Sequence, residues 1–377
     1  MTMSVTRRAA LASLAALSKA GASSARKLPP DTPAAVAAIL DRSLEQDPSV
    51  WNTDWFGTLL MKGMLEWGGS HVPEVRQYAR RWLDHHLSLT SVSKYSGAKS
   101  RTVIAGGIPI TTYAGHYGLA LPCYEIYRQL QDERARRIAV DVASIILHRS
   151  ARNHLGLVSH DDYSEFAIPD TCYFVASALM IASRLDPRNE TAFREQAVFQ
   201  LRAYTDTFLV KETGLAKTIL FNKTGLGNTY WTRASGWLLW AMAGVLRHLP
   251  ASDTAYRPFL EDMRRLAEGI VRVQHPEGGF RVLLDEPDTP LETTGSAMFA
   301  SGLHEAVRSG WLPGSFKEPA TRAWQYVQKN LTPDGDIRQA YTGWAVPAEK
   351  REMSMDKHVM GWIPGFILST AYEMSLG

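Results

Sequence analysis

The chain has 377 residues, of which 45% are hydrophobic and 21% charged, and its formal charge is +3. This is the composition of an ordinary globular protein, and a chain of this length buries roughly three-quarters of its unfolded surface. Near-neutrality, with no long basic run beyond the N-terminus, argues against nucleic acid as a partner.

Residues 1–30 contain no acid, and Asp31 is the first. Arg7 and Arg8 precede a mild apolar run from Ala9 to Leu17, and Ala20, Gly21 and Ala22 then suit signal peptidase. The stretch 1–30 reads as a twin-arginine-like signal peptide with a short linker, which implies export to the periplasm or beyond. An organellar presequence, also Arg- and Ser-rich and poor in acids, is the alternative. Residues 31–377 read as a single domain. No later segment has the ~18 uninterrupted apolar residues of a membrane span.

From residue 33 onward helical periodicity dominates and strand-like alternation is scarce. The pattern predicts helices over 33–46, 52–67, 72–88, 112–130, 132–149, 168–185, 189–209, 232–249, 253–274, 292–309, 315–330 and 358–375. Every second one is apolar all round, as in WFGTLLMKGMLEWGG, TCYFVASALMIAS and ASGWLLWAMAGVL. Those between are amphipathic, such as VRQYARRWLDHHL. An all-apolar helix is buried and a helix with a polar face meets water. Their strict alternation predicts an all-α fold, an (α/α)6 barrel of inner helices ringed by outer ones.

The loops entering the inner helices are long: 89–111, 150–167, 210–231, 275–291 and 331–357. Long loops in a compact domain are commonly functional. They are expected at one end of the barrel, where inner-helix N-termini favour anionic ligands. Trp51, Trp55, Tyr113, Tyr230, Trp231, Trp237 and Trp344 make the same end aromatic, which suits a sugar ring.

Within that end, FAIPDTCYF places Asp170 among apolar neighbours. Asp170 is either an N-cap or an acid whose pKa is raised by burial. Asp161, Asp162 and Glu165, just upstream, read as a solvated loop. His160 gains interest if its loop folds back over the barrel mouth. In YWTRASGW, Arg233 is either a bidentate carboxylate clamp or a cation–π packing group between Trp231 and Trp237. The segment LETTGSAMFA reads as helix-capping support. His116 and His358 are each either core histidines or pocket donors. Cys123 and Cys172 read as buried thiols. No zinc-type spacing, Walker loop or GxSxG occurs, so no metal or cofactor is expected.

The segments YWTRASGWLLWAMAGVLRHLP and GGFRVLLDEPDTPLETTGSAMFASGLHEAVRSGWL resemble unsaturated glucuronyl and rhamnogalacturonyl hydrolases of glycoside hydrolase families 105 and 88. PDTCYFVASALMIASRL is similar to the family segment that holds the catalytic aspartate, and DKHVMGWIPGFILSTAYE to its terminal helix. The resemblance covers nearly all of the mature chain. It implies an (α/α)6 barrel and hydration of a Δ4,5-unsaturated uronic acid, which frees the remaining oligosaccharide. It makes Asp170 the acid/base and His160 a pocket residue, with Arg233, Trp231 and Trp237 binding the uronate and its ring. Tyr113, His116 and His358 complete the expected substrate contacts. The expected partner is an oligosaccharide, and the expected state a monomer or small homo-oligomer.

Three positions depart from the family pattern. TTYAGHYG has no carboxylate where many members have an aspartate. Thr218 stands where many have a histidine, and Ile168 where a tryptophan is frequent. An inverting glycosidase, a sugar epimerase and a non-catalytic sugar-binding protein therefore remain as alternatives. The first would need a second carboxylate roughly 6.5–9.5 Å from Asp170.

Overall fold

The computed structural model of the chain describes residues 33–93, 100–164, 166–343 and 361–376. Helix α1 (Ala34–Glu45) and a 3₁₀ turn at Pro48–Val50 precede α2 (Trp55–Gly68). The Asp54 carboxylate caps α2 by accepting the Phe56 N–H at 2.9 Å. Next come α3 (Pro73–Leu87) and the hairpin of β1 (Thr102–Ala105) and β2 (Ile108–Thr111). The short α4 (Ala114–Tyr117) leads to α5 (Ala120–Leu130), and α6 (Glu133–His148) is capped by Asp132. Strand β3 (Phe166–Ala167) enters α7 (Pro169–Leu185), which α8 (Glu190–Phe208) follows. Strands β4 (Leu220–Phe221) and β5 (Gly225–Leu226) precede α9 (Thr232–Leu246) and α10 (Tyr256–Arg272). Strands β6 (Phe280–Arg281) and β7 (Leu291–Glu292) then introduce α11 (Thr293–Arg308). The described chain ends with α12 (Lys317–Lys329) and α13 (Trp362–Met374).

Helices α2, α5, α7, α9, α11 and α13 pack side by side in that order, and α13 returns to α2, so the inner ring closes. The other long helices lie outside it, each against an inner neighbour. Burial follows the predicted division: all 15 residues of α9 are buried, against seven of the 17 in α10. One inner contact is glycine on glycine, backbone against backbone. A Cβ at Gly63 would stand 2.4 Å from the Gly365 carbonyl, and one at Gly365 2.4 Å from that of Leu59. Only hydrogen side chains let these two backbones meet.

The structure divides the helix expected over 112–130 at Gly118 and Leu119. Pro122 has no N–H to return to the Gly118 carbonyl. The chain instead makes tighter i→i+3 bonds, from Leu119 N–H to His116 and from Leu121 N–H to Gly118. Where the last helix was expected to begin, residues 358–360 lie outside those described, as do 1–32 with the leader.

Among the described residues the strands all fall in loops that enter inner helices, as three small antiparallel sheets: β1–β2, β3–β4–β5 and β6–β7. A satellite core of Trp231, Ala234, Val282, Leu283 and Tyr341 lies with these loops, apart from the main core. At the opposite end, the C-termini of the inner helices surround a cavity of about 360 Å³. The ion pairs Lys62–Glu66 at 2.7 Å, Arg247–Glu305 at 2.6 Å and Arg308–Glu373 at 2.9 Å line it. These charges satisfy one another, and Asp170 is not among the lining residues. Among the described residues no helix is long and apolar enough to cross a membrane.

Candidate active site

Asp170 is not the N-cap of its helix. Ile168 takes that position and Pro169 is the first helical residue, where its missing N–H costs nothing, so Asp170 stands second in the first turn. Its Oδ1 accepts the Thr171 N–H at 2.6 Å and lies 3.4 Å from the Thr171 hydroxyl. The loop carrying His160 does fold back over the mouth, because the His160 carbonyl accepts the Ala114 N–H at 2.8 Å. That bond brings His160 Nδ1 to 3.2 Å from Thr171 Oγ1 and 3.8 Å from Asp170 Oδ1. The Tyr113 ring meets the His160 imidazole edge-on at 5.1 Å. Tyr113, expected as a substrate contact, thus lies beside His160, the neighbour of Asp170. The Asp170 side chain keeps 21% exposure, so it opens onto the mouth.

Burial raises the pKa of Asp170 above the usual carboxylate value. His160, the two Thr171 bonds and the distant Arg233 charge oppose the rise without cancelling it. The result is an accessible carboxyl that holds its proton to higher pH than an ordinary aspartate.

Arg233 lies 4.2 Å from the Trp231 ring and 4.8 Å from that of Trp362. Its Nη1 donates to Thr294 Oγ1 at 3.1 Å and to the Tyr341 carbonyl, and its Nη2 to the Gly343 carbonyl at 2.8 Å. Both terminal nitrogens thus hold the 341–343 segment, so of the two readings of Arg233 the geometry is that of the cation–π packing group rather than of an open bidentate fork. Burial lowers the Arg233 pKa to about 10, with Glu292, Tyr341 and Asp170 opposing the fall. Beside this group the indole N–H of Trp231 and that of Trp362 are buried without an acceptor among the described residues. The Thr218 hydroxyl, at the position of the missing histidine, accepts the Trp231 N–H at 3.0 Å and donates to the Thr229 carbonyl at 2.9 Å. It sets the position of Trp231.

Other expected residues are placed elsewhere. Trp237 is only 2% exposed and packs with Tyr173, Phe174, Trp240 and Phe366 in an aromatic plug on the barrel axis. It follows Arg233 by four residues, which puts it on the same face one turn deeper. His116 is fully buried, with Nδ1 at 2.9 Å from Thr111 Oγ1, and burial lowers its pKa to about 3. It stands behind Tyr113, 5.9 Å away ring to ring, and does not reach the opening. Trp51 is an anchor: its carbonyl accepts from Trp82 Nε1 at 2.9 Å and lies 2.8 Å from His86 Nε2. His358, Trp344 and Glu165 lie outside the described residues.

The remaining acids near the mouth have structural work. Asp162, expected in a solvated loop, instead has its side chain largely covered in a bidentate pair with the exposed Arg101, and it accepts the Thr112 hydroxyl at 2.6 Å. Glu292 caps α11 through the N–H groups of Thr294 at 2.7 Å and Gly295 at 2.5 Å, the supporting role expected for its segment. In TTYAGHYG, a Cβ at Gly115 would stand 2.4 Å from the Tyr113 ring and 2.9 Å from Trp55. Aromatic rings fill the space there. Thr171, Phe166, Tyr341 and Trp362 join the site without having been singled out for it, and the first two lie within FAIPDTCYF; Trp55 was already among the aromatic residues expected at this end.

An inner ring of helices, loops gathered at its N-terminal end and a partly exposed carboxyl of raised pKa fit a helical-barrel glycosidase, the class that the family match gives. The family model of Glycosyl Hydrolase Family 88 matches residues 38–375, and the chain belongs to that family. The unsaturated rhamnogalacturonyl hydrolase YesR of Bacillus subtilis is 25% identical over 357 residues, covering 89% of this chain and 93% of its own. An unsaturated 3S-rhamnoglycuronyl hydrolase of an Alteromonas species is 27% identical over 149 residues, 38% of this chain and 35% of its own. Among solved structures, a possible member of the GH105 family from Salmonella enterica superposes with a TM-score of 0.76 at 17% identity, over 90% of this chain and 92% of its own. The unsaturated glucuronyl hydrolase of Bacillus sp. GL1 does so with 0.66 at 16%, over 92% and 96%. These structural likenesses agree on the (α/α)6 barrel.

Proposed function

We propose that the protein removes a terminal Δ4,5-unsaturated uronic acid from lyase-generated oligosaccharides, with Asp170 as the single acid/base. One observation carries this reading: Asp170 is raised in pKa and its side chain is partly exposed, while Asp54 and Asp162 are committed to capping and ion pairing and Glu292, though also raised by burial, is fully buried in its cap. Ordinary glycosidases need two working carboxylates across the sugar. Hydration of a vinyl ether needs one group that gives a proton and then takes one back. Protonated Asp170 adds its proton to C4 as the ring oxygen releases electron density into C5. The carboxylate so formed draws a proton from the water that attacks C5. The hemiketal opens to a C5 ketone, and the resulting hemiacetal at C1 collapses and releases the oligosaccharide with its glycosidic oxygen. His160 and Thr171 hold the carboxyl, and Tyr113 walls it. The indole N–H groups of Trp231 and Trp362, which have no acceptor among the described residues and stand beside the Arg233 charge, suit the uronate carboxylate.

The test is to incubate the protein with lyase products of pectic, ulvan and glycosaminoglycan chains while following the absorbance of the conjugated double bond. The absorbance is expected to fall with at least one class; unchanged absorbance with all of them would sink the reading. We also propose that residues 1–30 direct export. Replacing Arg7 and Arg8 by Lys should then retain the protein in the cytoplasm, and undiminished export would count against the twin-arginine route.

A further inference from the structure

We propose that the outward face of the β3–β4–β5 sheet is a subsite for the sugars that follow the uronate, with Phe221 as its stacking platform. This inference rests on the uronyl-hydrolase reading. Residues directly opposite in an antiparallel pair share a face. The register sets Phe166 against Phe221 and Phe221 against Gly225, and on the other face Ala167 against Leu220 and Leu220 against Leu226. Ala167 and Leu220 are buried, so that second face packs against the protein over β3 and β4, and only its edge residue Leu226 is exposed. The first face begins at the site itself, because the Phe166 ring lies 5.6 Å from that of His160. It then runs outward to Phe221, which is 41% exposed.

Two features make Phe221 a built platform. Gly225, opposite it at φ +84°, has open space where a Cβ would stand, with nothing within 4 Å, so the ring has a free flank. The hairpin tip is also tied down, since the Asn222 side-chain amide donates to the Ser164 carbonyl at 3.4 Å, on the loop that carries His160. The cross-strand step of about 5 Å places Phe221 beyond Phe166 as seen from His160. Added to the 5.6 Å from His160 to Phe166, that is the reach of the second sugar after the uronate, which a tetrasaccharide has and a disaccharide lacks. A phenyl ring offers no hydrogen bond, so it selects a pyranose that presents an uninterrupted C–H face.

The experiment compares kcat/KM on unsaturated di- and tetrasaccharides of one polymer for wild type, Phe221→Ala and Phe221→Trp. The tetrasaccharide-to-disaccharide ratio is expected to fall about tenfold in Phe221→Ala, the size of one aromatic stacking contact, and to be kept in Phe221→Trp. An unchanged ratio in Phe221→Ala, or an equal loss on both substrates, would overturn the subsite. Wild type inactive on every chain length would defeat the uronyl reading itself, and the subsite with it.

Discussion

Asp170 owes its chemistry to opposing neighbours: burial resists its negative charge, and His160, Thr171 and Arg233 favour it. Burial wins, so the proton-donating form persists above the range of a free aspartate. The turnover rate should therefore fall as pH rises through this raised pKa, on the limb that reports the acid. Asp170→Asn removes the transferable proton, and activity should drop roughly 10²–10⁴-fold. A group whose folded pKa is raised loses stability as pH rises, because the ionised form is disfavoured in the folded state. At pH 7 the Asn variant should thus melt no lower than wild type. Activity lost together with a lower Tm would point to misfolding instead. Arg233 shows the other side of residue-scale reading. Its charge and its tryptophan neighbours were legible in YWTRASGW, but its donors were not. They reach carbonyls more than 100 residues away, at Tyr341 and Gly343, and only the closed ring brings those near.

At the scale of elements, helix existence was legible and helix entry less so. The alternation of all-apolar with amphipathic segments yielded the inner and outer sets, because burial on every face leaves a direct mark on composition. FAIPDTCYF suggested a cap at Asp170, yet Pro169 takes the first helical position and moves Asp170 inward. Pro122 likewise breaks a segment whose apolar character runs on unbroken. The two-residue strands β3 to β7 are too short for period-two alternation to register, and they form because loops at the mouth pair with one another. The helix contact most exposed to mutation is Gly63 on Gly365. Gly63→Ala forces a methyl group against a carbonyl that belongs to another inner helix. It should lower unfolding free energy by about 1–3 kcal/mol, measured by urea titration, with the larger cost if the ring cannot widen.

For the whole molecule, closing six inner helices into a ring turns a one-dimensional pattern into two distinct ends. The proposed site falls at the end where loops and helix N-termini converge, and the other end holds a cavity lined by mutually paired charges. The closed barrel also buries histidines in neutral form: burial lowers His86 and His248 to about 4 and His116 to about 3. Depressed folded-state values mean that stability is complete above the ordinary histidine pKa of about 6.5 and is lost as pH falls towards 4. The urea midpoint should decline across that window. His86→Gln, which keeps a donor for the Trp51 carbonyl, should make the decline shallower; an identical slope would exclude His86 as a contributor.

The central claim is that Asp170 delivers a proton to carbon. Turnover of an unsaturated oligosaccharide in D₂O, followed by NMR from the first minutes, tests it most directly. The account predicts one carbon-bound deuterium at C4 of the released uronate, loss of the vinyl proton signal, and neither change with Asp170→Asn. Release of the oligosaccharide with the C4=C5 bond intact would contradict it.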